Sequence, residues 1–194
     1  MRQRAVRQIS CASVGAMLLV ASVHTGCSRP SSATQARNAA AVVERGRYLA
    51  SVGACHDCHT PMKLGMNGPE PDMSRAFSGH PEEFAVGPPP ILGEGGWLWA
   101  GTGTNTAFAG PWGISYAANL TPDAETGTGT WNEEIFIKAI REGKLRGGGR
   151  PLQPPMPWPW YKNMTDDDLR AIFAYLKSLQ PIVNHVPEYV PPPG

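Results

Sequence analysis

The segment Cys55–His59, which reads Cys-His-Asp-Cys-His, constrains this chain more than any other part of its sequence. Two cysteines separated by two residues are typical of a thioredoxin-like dithiol, of half a zinc site, or of covalent haem attachment. A zinc site commonly has a second pair of Cys or His ligands. The other two cysteines, Cys11 and Cys27, lie near the N-terminus, and His80 and His185 are scattered. The βαβ alternation expected around a thioredoxin-like pair is not visible in the sequence.

The histidine directly after the second cysteine favours haem over the other two chemistries. In such a motif, two thioether bonds hold the edge of the porphyrin, and the adjacent imidazole lies under the iron. The sequence therefore predicts one haem c that is attached covalently to Cys55 and Cys58, with His59 as an axial ligand of the iron.

The second axial ligand decides whether the iron is closed or open to small molecules, and methionine there closes it and raises the reduction potential. Beyond the apolar N-terminal segment, the methionines are Met62, Met66, Met73, Met156 and Met164. Met156 is our candidate because prolines surround it, in the sequence Gln-Pro-Pro-Met-Pro-Trp-Pro-Trp-Tyr at 153–161. Proline fixes φ and removes backbone donors, so this segment is stiff. The alternative is a gap-filling core methionine.

Four segments taken together point to one family. They are the Cys55–His59 motif after a short helix, Asn-Leu-Thr-Pro-Asp at 119–123, Pro-Pro-Met-Pro at 154–157, and a helix-forming segment at 165–176. They resemble the class I bacterial cytochromes c, above all the cytochrome domains found alone or as subunits beside periplasmic dehydrogenases. The resemblance covers about 43–181 and is weaker at 60–118, which is longer than a minimal cytochrome needs.

This resemblance implies a mainly α-helical, cytochrome c-like fold of three or four helices around one haem. It implies that Met156 is the distal ligand, and that the N- and C-terminal helices cross at Gly46, opposite Tyr175. It also implies that the chain carries single electrons between redox proteins, such as a dehydrogenase or a terminal oxidase, and is not an enzyme itself. Two rivals stay open: a haem enzyme or gas sensor with an open or displaceable distal site, and a structural haem subunit of a dehydrogenase complex.

Helix-forming composition, capping residues and apolar spacing predict three helices. Residues 39–53 are rich in helix formers, with Gly46 as the internal breaker. Thr130–Glu133 fits a capping box for a helix that ends at Gly143. Thr165, followed by three acids, begins the last helix. Its apolar stripe consists of Leu169, Ile172, Phe173, Leu176 and Leu179.

Residues 64–113 form a long insertion with many Gly and Pro residues and little helical or strand pattern. An irregular segment of this length is usually functional or disordered. Its aromatic residues, among them Trp97, Trp99 and Phe108, argue against disorder. We therefore expect an ordered flap that packs on the haem or on a partner. Within it, we expect His80 to be a surface histidine and not an iron ligand.

Asn119 and Trp131 each allow two interpretations. An amide or an indole N–H can donate a hydrogen bond to a haem propionate. Both residues are equally compatible with a place in the core, so the sequence leaves their roles open.

The N-terminus has the pattern of an export signal. Three arginines within the first seven residues precede an apolar segment at 9–23, which is too short for a confident membrane span. We interpret residues 1–26 as a signal peptide of the lipoprotein type, because Cys27 follows the apolar segment directly. The alternatives are an uncleaved anchor helix and ordinary cleavage further on, for example after Ala36.

These features predict an organisation and a location for the chain. A flexible, polar tether occupies 27–41, a cytochrome c domain 42–182, and a Pro-rich tail 183–194. The protein is expected in the periplasm, tethered to the membrane by a lipid on Cys27. Lys and Arg number 17 against 16 acidic residues, and no basic stripe of the kind that binds nucleic acid is present in the sequence.

Overall fold

In a computed structural model, the described part of the chain comprises residues 31–90 and 96–193. The expected signal peptide at 1–26 and the candidate lipidation site Cys27 lie outside these residues. The described residues from Ser32 onwards form one compact unit. Within the described ranges, no helix is long and apolar enough to cross a membrane.

Three long α-helices and two single-turn α-helices are found in the described residues. They are α1 (Ser32–Val52), α2 (Cys55–His59), α3 (Glu133–Glu142), α4 (Trp158–Tyr161) and α5 (Asp166–Ser178). Because α1 begins at Ser32, residues 32–41, which lie in the part of the chain expected to be a tether, are helical and exposed.

Helices α1 and α5 cross at Gly46. A Cβ atom on this glycine would overlap the carbonyl oxygen of Ala171 and would lie 2.8 Å from Cβ of Tyr175. Glycine lets the two backbones approach this closely because it has no Cβ. The crossing opposite Tyr175 is therefore confirmed. Around it, α1, α3 and α5 form the core with Leu49, Ala50, Phe136, Ile140, Leu169, Ala171, Ile172, Phe173 and Leu176.

The helix ends follow local capping chemistry. Thr165 caps α5, since its hydroxyl accepts a hydrogen bond from the backbone N–H of Asp168. Gly143 ends α3 with φ 64°, as its predicted C-cap role requires. The predicted capping box at Thr130 is wrong by two residues. Asn132 is the N-cap of α3, because its side chain accepts a hydrogen bond from the N–H of Ile135.

The insertion at 64–113 contains most of two small antiparallel sheets. The first pairs β1 (Met62–Gly65) with β2 (Gly68–Pro71). The second has the order β3 (Ala100–Gly101), β4 (Ala107–Gly110), β5 (Gly113–Tyr116). The expectation of a mainly α fold with three or four helices is therefore too simple. These strands of two to four residues, rich in Gly and Pro, are too short to show a period-two pattern.

The C-terminal tail packs onto the insertion through polar contacts. Asn184 is completely buried, and its amide donates hydrogen bonds to the carbonyl oxygens of Ser78 and His80. His80 is itself fully buried, which corrects the expectation of a surface histidine. Its ring lies within hydrogen-bond distance of Thr106 Oγ1 (2.8 Å) and the carbonyl oxygen of Phe84 (3.0 Å). Such long-range partners leave no local signal in the sequence.

Candidate haem site

Helix α2 presents the Cys55–His59 motif to the interior of the fold. Ala54 adopts a left-handed conformation (φ 55°), which turns the chain out of α1 and into α2. The next residue after α2, Thr60, is buried, and its hydroxyl accepts the backbone N–H of Phe77 at 3.1 Å. The hydroxyl of Tyr161, in α4, donates to the carbonyl of Gly53. The single turn that carries the motif is thus held at both ends.

One predominantly apolar cleft brings the predicted site residues together. Its walls include Cys55, Cys58, His59 and Met156, with residues of α1, α3, α4 and α5 and of the insertion strands. The empty space between the lining atoms, including the part that opens to solvent, is about 1370 Å³. Phe108 of β4 lines the same cleft, so part of the insertion packs at the site, as expected of the flap.

His59 is oriented by a backbone contact that the sequence did not predict. Its Nδ1 lies 2.8 Å from the carbonyl oxygen of Ala118, which can only accept, so Nδ1 carries the proton. The unprotonated Nε2 is then the nitrogen available to a metal. Burial lowers the pKa of His59, which favours the neutral imidazole that a metal ligand must be. The only sequence signal that could have pointed to this contact is the position of Ala118, which directly precedes the Asn-Leu-Thr-Pro-Asp segment at 119–123.

The two cysteines of the motif are separate, and both are partly buried. Cys55 and Cys58 form no disulfide. Burial raises the pKa of Cys55 to about 11 and also raises the pKa of Cys58. A redox-active dithiol needs a lowered thiol pKa instead. Among the residues that the structure describes, no cluster of three or more His, Cys, Asp or Glu side chains could hold a metal ion. These observations favour thioether attachment over the zinc and dithiol alternatives.

Of the candidate methionines, Met156 and Met164 line the cleft. Met66 and Met73 are exposed on the insertion, and Met62 lies in β1. Met156 lies between the cis Pro154–Pro155 bond and Pro157, which precedes α4. Among the described residues, the sulfur atoms of Met156 and Met164 are therefore the two that line the cleft. Met156, which prolines flank, is the predicted ligand of the iron.

Asn119 and Trp131 have different surroundings. The Asn119 amide donates to Thr126 Oγ1 and to the carbonyl of Ile182, and its oxygen accepts from Thr121. The polar atoms of its side chain thus all have partners inside the protein, which favours a place in the core over a contact with a propionate. Trp131 lines the cleft, with the Arg146 guanidinium 5.5 Å from the centre of its ring. A propionate contact by Trp131 stays a prediction.

Comparison with known proteins identifies the domain. Residues 99–180 match the family model of cytochrome c. The chain is 34% identical to a subunit of the nicotinate dehydrogenase of Pseudomonas putida, over 76% of this chain and 9% of that protein. It is 33% identical to the gluconate 2-dehydrogenase cytochrome c subunit of Pantoea cypripedii, over 70% of this chain and 22% of that subunit. It is 28% identical to the fructose dehydrogenase cytochrome subunit of Gluconobacter japonicus, over 89% of this chain and 28% of that subunit.

The matched region belongs to the cytochrome c family, and the chain carries a cytochrome c domain. It spans less than a third of the length of these relatives. The family binds haem c covalently, and the residues present fit that cofactor. Two free thiols and a neutral, oriented imidazole lie on the wall of one apolar cleft, and a thioether lies on the same wall.

Proposed function

We propose that this protein is an exported monohaem cytochrome c that carries single electrons between redox partners. Cys55 and Cys58 would attach the haem, and His59 and Met156 would be the axial ligands. One observation carries the proposal: His59, held by the Ala118 carbonyl, and Met156, held in a proline-rich segment, line the same apolar cleft. A histidine and a methionine together satisfy a haem iron, which favours electron transfer over chemistry at an open site.

The bound haem would supply the one-electron chemistry, since its iron is stable in the ferrous and ferric states. The protein's contribution is to keep the ligands and their surroundings unchanged between those states. The Ala118 carbonyl fixes the ring of His59. The apolar side chains of Phe77, Phe108 and Phe136 line the cleft and exclude water from it. With water excluded and both ligands held, little has to rearrange when an electron arrives or leaves, as an electron carrier requires.

The partners and the location belong to the same proposal. Relatives are named as cytochrome subunits of gluconate, alcohol and fructose dehydrogenases. We propose that this chain likewise accepts electrons from a dehydrogenase, as a subunit or as a separate carrier, and passes them towards a terminal oxidase. The N-terminal pattern supports a periplasmic location with a lipid on Cys27. Copurification of the full chain with a dehydrogenase from detergent-solubilised membranes, and its loss from membranes in Cys27→Ala, would test these points.

Visible spectra of the haem-loaded protein test the proposed ligands. We expect the wild type to show a c-type reduced spectrum and, when oxidised, the weak red charge-transfer band of a thioether–ferric bond. Met156→Ala should lose that band and bind carbon monoxide when reduced. Met164→Leu is the matched control because Met164 lines the same cleft and leucine has a similar volume. It should keep the band.

The opposite outcome would favour the rival function. If the wild type lacks the band and binds carbon monoxide readily, the iron is open on its distal side. The protein would then be a haem enzyme or a gas sensor. If Met164→Leu loses the band and Met156→Ala keeps it, the fold is right and the assignment of the ligand is wrong.

A further inference from the structure

We propose that Ser115, on strand β5 at the end of the insertion, is a positioning residue for Met156. It would act through a hydrogen bond to the carbonyl of Pro154, two residues before the methionine. The proposal rests on the proposed role of Met156 as the distal ligand. It extends that role by assigning to strand β5 and the C-terminal tail the task of holding the ligand-bearing segment.

The hydroxyl of Ser115 joins two parts of the cleft wall. It lies 2.6 Å from the carbonyl oxygen of Pro154 and 3.4 Å from that of Phe108. A hydroxyl has one proton, and the shorter distance assigns it to Pro154. The indole N–H of Trp112 donates to the same hydroxyl at 3.2 Å. Ser115 is 7% exposed, so water does not compete freely for these bonds.

The proline-rich segment depends on bonds of this kind. Pro154, Pro155 and Pro157 have no backbone N–H, so three of the four residues at 154–157 cannot donate a hydrogen bond. The N–H of Met156 bonds locally to the carbonyl of Gln153, at 3.2 Å. The segment is therefore bonded to the strands through the Pro154 carbonyl, which accepts a hydrogen bond from the Ser115 hydroxyl.

The C-terminal tail holds the strand that carries Ser115. Val190 and Ile114 exchange backbone hydrogen bonds of 2.8 and 3.0 Å. A Cβ atom on Gly113 would overlap the carbonyl oxygen of Val190, so the tail lies directly against the strand. The hydroxyl of Tyr189 donates to the carbonyl of Trp112. Side-chain bonds thus link the tail to Trp112, Trp112 to Ser115, and Ser115 to the methionine segment.

Binding of imidazole to the ferric protein measures how firmly Met156 is held, because imidazole must displace it. Removing one buried hydrogen bond costs about 1 kcal/mol, which is about fivefold in an equilibrium constant. We expect Ser115→Ala to bind imidazole about fivefold more tightly than the wild type. At the same imidazole concentration, a larger fraction of Ser115→Ala than of the wild type should therefore lose the thioether–ferric band.

Ser78→Ala is the matched control. Ser78 is a fully buried serine, but its hydroxyl has no hydrogen-bond partner among the described residues. The imidazole affinity of this variant should equal that of the wild type. Tyr189→Phe provides a second variant if Ser115→Ala does not fold, because it removes only the hydroxyl that binds Trp112. We expect it to tighten imidazole binding about twofold.

The outcomes separate this inference from the proposed function. If the wild type shows the thioether–ferric band and Ser115→Ala binds imidazole like Ser78→Ala, the positioning role of Ser115 is wrong while the ligand assignment stands. If the wild type lacks the band, both are wrong. Equal tightening in Ser115→Ala and Ser78→Ala would mean a general loss of stability, and would also overturn the positioning role.

Discussion

Two regions of this protein are held together by different interactions. The helical scaffold, formed by α1, α3 and α5, buries apolar side chains such as Leu49, Phe136 and Leu176. The loop layer, formed by the described residues of 60–128 and 179–190, contains every buried polar side chain found in the described ranges. These are Thr60, Ser78, His80, Thr106, Ser115, Asn119, Thr121, Thr128 and Asn184.

This difference has a physical cause. Helices satisfy their own backbone groups, so their side chains are free to bury apolar surface. The loop layer has short strands and irregular turns, so many of its backbone groups need side-chain partners. The scaffold is thus stabilised mainly by packing, whereas the loop layer adds specific hydrogen bonds to the packing of Phe77 and Phe108. The proposed haem ligands depend on both regions. His59 lies in α2, which follows α1, and the Ala118 carbonyl of the loop layer orients its ring; Met156 is connected to the loop layer through the bond between Pro154 and Ser115.

Gly46→Val should have the largest effect, because the scaffold depends on close packing. The new Cβ would overlap the Ala171 carbonyl and force α1 away from α5. We expect a loss of about 3 kcal/mol or more in the free energy of unfolding, measured by chemical denaturation. Gly103→Ala is the control, since a Cβ there meets nothing within 4 Å. A similar loss in both variants would contradict the importance of the crossing.

Asn184→Ala tests the loop layer. Its amide binds two carbonyl groups, and its oxygen accepts the N–H of Glu82 at 3.0 Å. Loss of these bonds leaves buried groups without partners, so we expect a destabilisation of about 2 kcal/mol in the same assay. Asn38→Ala, at an exposed position of α1, should change stability by less than about 0.5 kcal/mol. Equal effects would mean that the polar contacts of the loop layer contribute little.

His80 should make the loop layer sensitive to acid. Burial lowers the pKa of His80 below its ordinary value of 6.5. The unfolded chain therefore binds this proton more readily than the folded protein does. The contribution of neutral His80 to the free energy of unfolding is complete above its ordinary pKa of 6.5. This contribution is lost as the pH falls through the lowered pKa of His80 in the folded protein. His80→Asn should flatten the dependence of the melting temperature on pH in this acidic range, and an unchanged dependence would contradict this role of His80.

The ion pair between Arg45 and Asp168 should have the smallest effect. It joins α1 to α5 at 2.9 Å, but the Arg45 side chain is 53% exposed. Exposed pairs contribute less than about 1 kcal/mol. A double-mutant cycle with Arg45→Ala and Asp168→Ala should give a coupling energy below that value. A larger coupling would show that charge, and not packing at Gly46, holds the two helices together.

The same contrast explains what the sequence could predict. The apolar stripe of α5 and its cap at Thr165 are local patterns, and both are visible in the sequence. The glycine crossing at Gly46 was found through the family resemblance. The strands β1 and β2 were missed, although Asn67 ends the turn between them and Gly68 begins β2, and Asn-Gly is a recognised hairpin signal.

Buried polar residues could not be placed from the sequence. His80 was expected on the surface, yet its burial depends on Thr106 and on Asn184, which lies 104 residues further along the chain. The role of Asn119 was left open for the same reason, because its hydrogen-bond partner Ile182 lies 63 residues further along the chain. The cysteine motif and Met156 could be singled out because their chemistry requires particular residue types. The Ser115–Pro154 contact has no comparable sequence signature.

A redox titration of the haem-loaded protein, followed by its visible spectrum, tests the central claim most directly. We predict a reversible one-electron transition for the wild type. The thioether–ferric band should appear as the protein is oxidised and disappear as it is reduced. We also predict a lower midpoint potential for Met156→Ala, because methionine ligation raises the potential. An unchanged midpoint in Met156→Ala, or a wild type that does not titrate reversibly, would contradict the proposed function.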